Sequence, residues 1–255
     1  MTRARRLLGL YARVGRTYWA WAPTLLGLAT LVFIPLGFVD ALLEQVDTSS
    51  LDLTSGLKVA ALIGAVAAIT ASSLFGEVFF SGAIAASLTH PEELERPSFL
   101  HLARHISYGK LILVDIFYVL MLILGFIAFV VPGILVMIYL SLAGPIVELE
   151  KRGVWDGFRR SYSLVRGHFW MVVAVFVPIE IAGDAINGAL VGVAHHLLGH
   201  GILAAWVGET AGNIVTAPVA SVAIVLLTLD LIRHHDGAAP RLKRRPNAVP
   251  APEVA

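Results

Sequence analysis

The sequence has no cysteine, which excludes disulfide bonds, thiolate metal ligands and thiol nucleophiles together. It is also poor in charge: Asp, Glu, Lys and Arg make up 15% of 255 residues, against about a quarter in soluble domains. Apolar residues fill the chain instead, at 57%, and they come in long runs rather than in alternation. The missing alternation argues against barrel strands. The runs approach or exceed the ~20 residues that cross a ~30 Å hydrocarbon layer as helix. No Gly-rich phosphate loop, nucleophile elbow or HExxH pair occurs, so neither catalysis nor a cofactor is expected. A net charge of +1 gives no reason to expect a nucleic-acid partner.

The apolar runs predict an all-α, polytopic membrane bundle of about six transmembrane helices, at about Ala22–Leu43, Lys58–Leu88, Lys110–Val131, Gly133–Val147, Phe169–Ala194 and Ile202–Ile232. The first run follows an Arg-rich, aromatic segment and has no small-residue cleavage site after it, so it is expected to be a retained span. Pro132-Gly133 divides the third run from the fourth, because proline lacks an N–H and glycine accepts turn dihedrals. The alternative is one kinked helix and five spans. Charge favours six: with six spans, every Lys and Arg but Lys58 falls in a segment facing the cytoplasm, as the positive-inside rule requires. Residues 1–235 then form one membrane domain with the N-terminus cytoplasmic. Residues 236–255, rich in Pro, Ala and Arg, form a disordered cytoplasmic tail whose Arg241, Lys243, Arg244 and Arg245 either anchor topology or meet anionic lipid head groups.

Amphipathic segments precede some spans. Val154, Trp155, Phe158, Tyr162 and Val165 recur at helical spacing among Arg159, Arg160 and Arg166, and Leu7, Leu8, Tyr11, Val14, Tyr18 and Trp19 do so among Arg6, Arg13 and Arg16. Both are expected to lie in the cytoplasmic interface of the bilayer. Tyr11, Val14, Tyr18 and Trp19 match Tyr162, Val165, Phe169 and Trp170 at a fixed offset, and a weaker copy runs from Ser98 to Tyr108. The chain reads as three repeats of an interfacial helix plus a transmembrane hairpin.

The residues Pro132, Gly133, Pro145, Glu150, Gly153, Arg160, Ser161, Gly167 and Trp170, with Leu164-Val165, form the most specific stretch of the sequence. In this it resembles the glycerophosphoryl diester phosphodiesterase membrane domain and related bacterial six-span proteins. The resemblance implies a multi-pass protein of the bacterial cytoplasmic membrane. It does not imply the hydrolase, because a catalytic (β/α)₈ barrel needs ~250 residues of its own and only a short polar tail follows Arg233.

Acidic residues inside spans are costly and stand out as candidates: Glu77, Asp115, Glu180, Asp184 and Glu209. No Lys or Arg lies in a span core to pair with them. Glu180, Asp184 and Asn187 share one face of the fifth span, and Glu209 and Asn213 are one turn apart in the sixth at matching depth. Gly188 with Gly192, and Gly208 with Gly212, set a GxxxG pair on each helix at that level, and Pro178 and Pro218 free carbonyls for polar neighbours. Two readings stand: a polar pocket open to the outside that handles protons, cations or a small polar substrate, or a hydrogen-bonded packing seam. In the second span Ala60, Gly64, Ala68, Ser72 and Gly76 form a small-residue stripe beside a polar stripe of Thr70, Ser73, Glu77 and Ser81, again suited to packing or to an aqueous path. His195, His196 and His200 cluster in an outer loop, but no metal site is expected of them. His196 and Asp184 lie about 18 Å apart along a helix and cannot act as an enzyme's acid–base pair. The expected role is a non-enzymatic scaffold or accessory factor whose interfacial helices read the cytoplasmic leaflet. The alternative is a transporter using the acids of spans five and six.

Overall fold

A computed structural model describes residues 3–44, 77–88 and 107–236, and every regular element among them is an α-helix. The elements are α1 (Arg3–Glu44), α2 (Glu77–Leu88), α3 (Tyr108–Ala128), α4 (Val130–Leu140), α5 (Ala143–Leu149), α6 (Val154–Leu198) and α7 (Ile202–Asp236). Among the described residues, five stretches are long and apolar enough to cross a membrane: Arg6–Phe38, Tyr108–Ala128, Val130–Leu149, Val154–Leu198 and Ile202–Asp236. Most of the predicted second span, its small-residue and polar stripes up to Gly76, the Ser98 copy as far as residue 106, and the tail beyond Asp236 lie outside the described residues.

Helix α7 is the axis of the bundle. Its fixed points with α1 are Arg13–Asp230 at one end and Trp206 Nε1 donating to the Ile34 carbonyl at 2.9 Å at the other, so the two run antiparallel. Helix α6 is also antiparallel to α7: Arg160 meets Asp236, and Asn187 meets Glu209. The ends of α1, α6 and α7 that carry Arg13, Arg159, Arg160 and Arg233 therefore share one side, called the basic end below. The core between the helices buries Leu10, Phe33, Phe80, Leu111, Leu164 and Leu231. A second cluster, with Val114, Tyr118, Leu122, Leu140 and Phe158, joins α3, α4 and the start of α6.

Helices α3, α4 and α5 form a hairpin, which settles one kinked helix against two antiparallel segments. The break comes at Phe129, whose φ −178° and ψ 161° are extended. This corrects the expected break at Pro132-Gly133. Pro132 instead sits in the first turn of α4, where N–H groups have no helical partner and its missing donor is harmless. Gly133 is needed for another reason: a Cβ there would come within 2.6 Å of the Phe126 ring, and one at Gly125 within 3.0 Å of Gly133 Cα. The returning segment is itself interrupted at Ser141-Leu142, so the predicted span Gly133–Val147 is two short helices. At the basic end the hairpin closes with the Ser107 N–H donating to Glu148 Oε1 at 2.7 Å.

The amphipathic segments also depart from expectation. In α1 the segment runs unbroken into the apolar stretch, with Leu10 and Val14 buried in the bundle and Leu8 and Trp19 exposed. In α6 the helix bends at His168, which has φ −136° and ψ 27°. Ahead of that bend the expected apolar stripe is divided between two faces: Phe158 and Val165 are buried, whereas Trp155 and Tyr162 lie on the exposed side with Arg159 and Arg166.

Candidate functional site

Of the candidate polar residues in the half of the bundle away from the basic end, two are brought together. Asn187 Nδ2 donates to Glu209 Oε2 at 2.8 Å across the α6–α7 contact. The contact is close because α7 offers glycine. A Cβ on Gly212 would fall on the Asn187 amide, and one on Gly208 would lie 2.6 Å from Val191 Cα and 3.2 Å from Ala194 Cβ. The α6 face that meets α7 is thus Asn187, Val191 and Ala194. Gly188 and Gly192, one position on and so turned by about 100°, face away with nothing within 4 Å of a Cβ. The two GxxxG pairs therefore do not face each other, since the amide of Asn187, held on Glu209, fixes the rotation of α6.

The remaining expected members are dispersed. Gly183, not Asp184, faces α7, where a Cβ would lie 3.7 Å from Thr216, and Asp184 is exposed. Asn213 is half-buried and forms no pair with Asp184 among the described residues. Glu180 turns into a separate cleft lined by Ser141, Leu142, Phe176, Ala223 and Leu227, too tight to hold a water molecule. Its Oε1 is buried and has no hydrogen-bond partner among the described residues, as is Asn187 Oδ1. Asp115 is buried in α3, and Glu77 is the first residue of α2. His195 and His200 stack in parallel at 5.2 Å, and no three potential ligands converge on a metal geometry among the described residues.

The densest polar chemistry lies at the basic end. Glu148 is fully buried and ion-paired with Lys151, which adopts a left-handed conformation at φ 51°. That backbone position costs a non-glycine residue roughly 1–2 kcal/mol, and the ion pair it lets Lys151 make with a carboxylate already held out of water offsets it. Glu150 ends α5 and pairs with Arg152 and Arg160, and Arg160 pairs on with Asp236 at the end of α7. Arg13 of α1 reaches Asp230 at 3.7 Å. One chain of charges thus fastens the turn between α5 and α6 to the end of α7, and α1 joins through Asp230.

Two hydrogen bonds reinforce the frame. Pro178 leaves the Ala174 carbonyl without its helical donor, and the Tyr11 hydroxyl of α1 supplies one at 2.9 Å. The Ser161 hydroxyl donates to the Tyr139 carbonyl at 2.7 Å. Among the residues that carry the family resemblance, Pro145 is buried in α5, Gly153 caps α6, and Glu150, Arg160 and Ser161 belong to this frame. Gly167 stands open and Trp170 is exposed.

No protein family, curated protein or solved structure matches the chain.

Sequence reasoning passed over Glu148 and Gly37, and it placed Tyr11 on an apolar stripe without its bond to the Ala174 carbonyl. The signal for Glu148 was a Lys three residues on, and that for Tyr11 was a proline elsewhere in the chain needing a donor. Gly37 gave none; a Cβ there would strike the Thr210 hydroxyl of α7.

Proposed function

We propose that the chain is a six-span protein of the cytoplasmic membrane with both termini inside, serving as a non-enzymatic scaffold or accessory factor. The observation that carries this reading is the ion-paired frame at the basic end, which ties α1, α5, α6 and α7 together and leaves aromatic and basic side chains on its exterior. Such an end is built to hold a shape against the membrane surface. The α6–α7 contact supports the same reading, because the Asn187–Glu209 pair sits over a glycine with no room between the helices.

The repeat is part of the proposal. Val14 and Val165 are both buried, and Tyr18–Trp19 and Phe169–Trp170 are both T-shaped pairs, at 5.8 Å and 79° and at 5.5 Å and 78°. Trp19 and Trp170 are exposed by 79% and 73%. Matching environments at these positions support descent of the first and third of the three repeats from one unit, in line with the resemblance to the phosphodiesterase membrane domain.

A transporter is the second reading. It draws on Glu180, whose buried Oε1 lies about 15 Å along α6 from Trp170, near the midplane of a bilayer that starts at that residue. The cysteine-free chain allows a clean test: single cysteines at Asp184, Asn187, Glu209 and Asn213 probed from outside with a membrane-impermeant thiol reagent, alongside reporters on both termini. Internal termini and protected Asn187 and Glu209 positions support the scaffold. Labelling at all four positions supports transport.

A further inference from the structure

The first half of α6 buries one face and bares the other. Gly157, Phe158, Ser161, Leu164 and Val165 are buried against the bundle. The opposite face carries Trp155, Arg159, Tyr162 and Arg166, spaced four, three and four residues apart, as one side of a helix requires, and Trp170 follows four residues on, past the bend at His168. All five are exposed, the three aromatics by 55%, 47% and 73%. Aromatic and cationic side chains therefore alternate along about 20 Å of surface.

The nearby carboxylates are already engaged. Glu148 holds Lys151, Glu150 holds Arg152 and Arg160, Asp236 holds Arg160, and Asp230 holds Arg13. Asp156, on the neighbouring face of the first turn, pairs with neither Arg159 nor Arg166 among the described residues. The two arginines stand two turns apart, about 10 Å, too far to grip one anion together. Each is suited to a separate phosphate, which a guanidinium binds through two parallel hydrogen bonds. Their aromatic neighbours need an apolar layer beside that phosphate, since indole and phenol rings sit where head groups meet acyl chains. Helix α1 repeats the arrangement in brief: Arg16 is exposed, and Trp19 follows one turn nearer the apolar stretch, as Trp170 follows Arg166.

We infer that the Trp155–Trp170 face of α6 is a binding surface for anionic phospholipids, with Arg159 and Arg166 each taking a head-group phosphate. Trp155, Tyr162 and Trp170 seat against the acyl boundary, and Arg16 with Trp19 forms a second, smaller copy on α1. This rests on reading the basic end as the one that meets the cytoplasmic leaflet.

The test uses the full chain in phosphatidylcholine membranes carrying either spin-labelled phosphatidylglycerol or spin-labelled phosphatidylcholine, with the motionally restricted fraction giving the relative association of each lipid. The wild-type chain is expected to prefer phosphatidylglycerol. Arg159→Gln with Arg166→Gln reduces that preference by about 5-fold for each arginine removed, from roughly 1 kcal/mol per basic residue. The pair Arg159→Lys and Arg166→Lys keeps most of it. Neutralising Arg241, Lys243, Arg244 and Arg245 leaves the α6 contribution in place. The inference is overturned if the Gln pair, still helical by circular dichroism, keeps the wild-type preference, or if millimolar inorganic phosphate abolishes that preference, which marks a site for a soluble anion. Terminal topology reporters on the same proteins separate the two levels of reading: internal termini with unchanged lipid preference sink this inference alone, whereas external termini sink the assignment of the basic end.

Discussion

Alanine at Gly212 and alanine at Gly188 should have opposite effects, although the two glycines belong to the same kind of motif. At Gly212 the added Cβ would fall on the Asn187 amide oxygen and lie 2.6 Å from its Cγ and 3.1 Å from its Cα. The amide must leave its place, and the Asn187–Glu209 hydrogen bond goes with it. Overpacking costs about 1–3 kcal/mol, and an interhelical hydrogen bond in membrane about 0.6 kcal/mol and at most about 1.7. Alanine's better helix propensity returns up to about 1 kcal/mol, leaving a net loss of about 1–3 kcal/mol. At Gly188 a Cβ meets nothing within 4 Å, so only the propensity gain remains. The assay is reversible unfolding of the purified chain in mixed micelles, followed by helix content. Adding Asn187→Ala to Gly212→Ala should recover most of the loss, because the clash is chiefly with the amide, and the double-mutant cycle measures that coupling. Should Gly212→Ala unfold with the wild type while Gly188→Ala is destabilised, α6 is rotated by about 100° from the orientation described and the seam is wrongly assigned.

Three further outcomes follow from the frame at the basic end and from the hairpin. Tyr11→Phe removes the donor to the proline-freed Ala174 carbonyl and is expected to cost about 1 kcal/mol in the same unfolding assay, with Pro178→Ala restoring much of it by returning an N–H to that carbonyl. Glu148→Leu strips the Ser107 N–H and Lys151 of their acceptor and should cost about 3 kcal/mol, whereas Glu148→Gln, which keeps an acceptor for Ser107, should cost less than half of that; equal losses would show that the ion pair alone matters. Gly133→Ala forces the Phe126 ring aside and should lower the melting temperature of the detergent-solubilised protein, while Gly109→Ala, where a Cβ meets nothing, should leave it unchanged.

The helices were legible because the apolar runs are long and charge is confined to the segments between them; four of the six predicted spans correspond to α1, α3, α6 and α7 with only their ends displaced. The hairpin turn was misplaced by three residues for a definite reason. Proline stops a helix that it must continue but is harmless in the first turn of a new one, and sequence alone does not say which role Pro132 has. The amphipathic segments were legible as helices but not in what they meet, because an apolar stripe does not declare whether it meets lipid or protein. Val14 meets protein, whereas Trp19, part of the same pattern, does not.

The dispersal of the expected site follows from the same limit, and it constrains what the outer acids can do. Helical spacing put Glu180, Asp184 and Asn187 on one side of α6, yet a face spanning seven residues covers an arc wide enough to meet three different surroundings. Asn187 takes the α7 seam, Glu180 turns into an apolar cleft, and Asp184 is left exposed. For the three to act on one substrate, α6 would have to rotate against α7, and Gly208 and Gly212 resist that because any residue other than the ones now facing them presents a different bulk. Transport by the second reading therefore demands that the α6–α7 contact open. A crosslink between cysteines placed at Gly183 and Thr216, where the two Cβ atoms would lie 3.7 Å apart, would abolish transport if that opening occurs and leave a scaffold's function untouched.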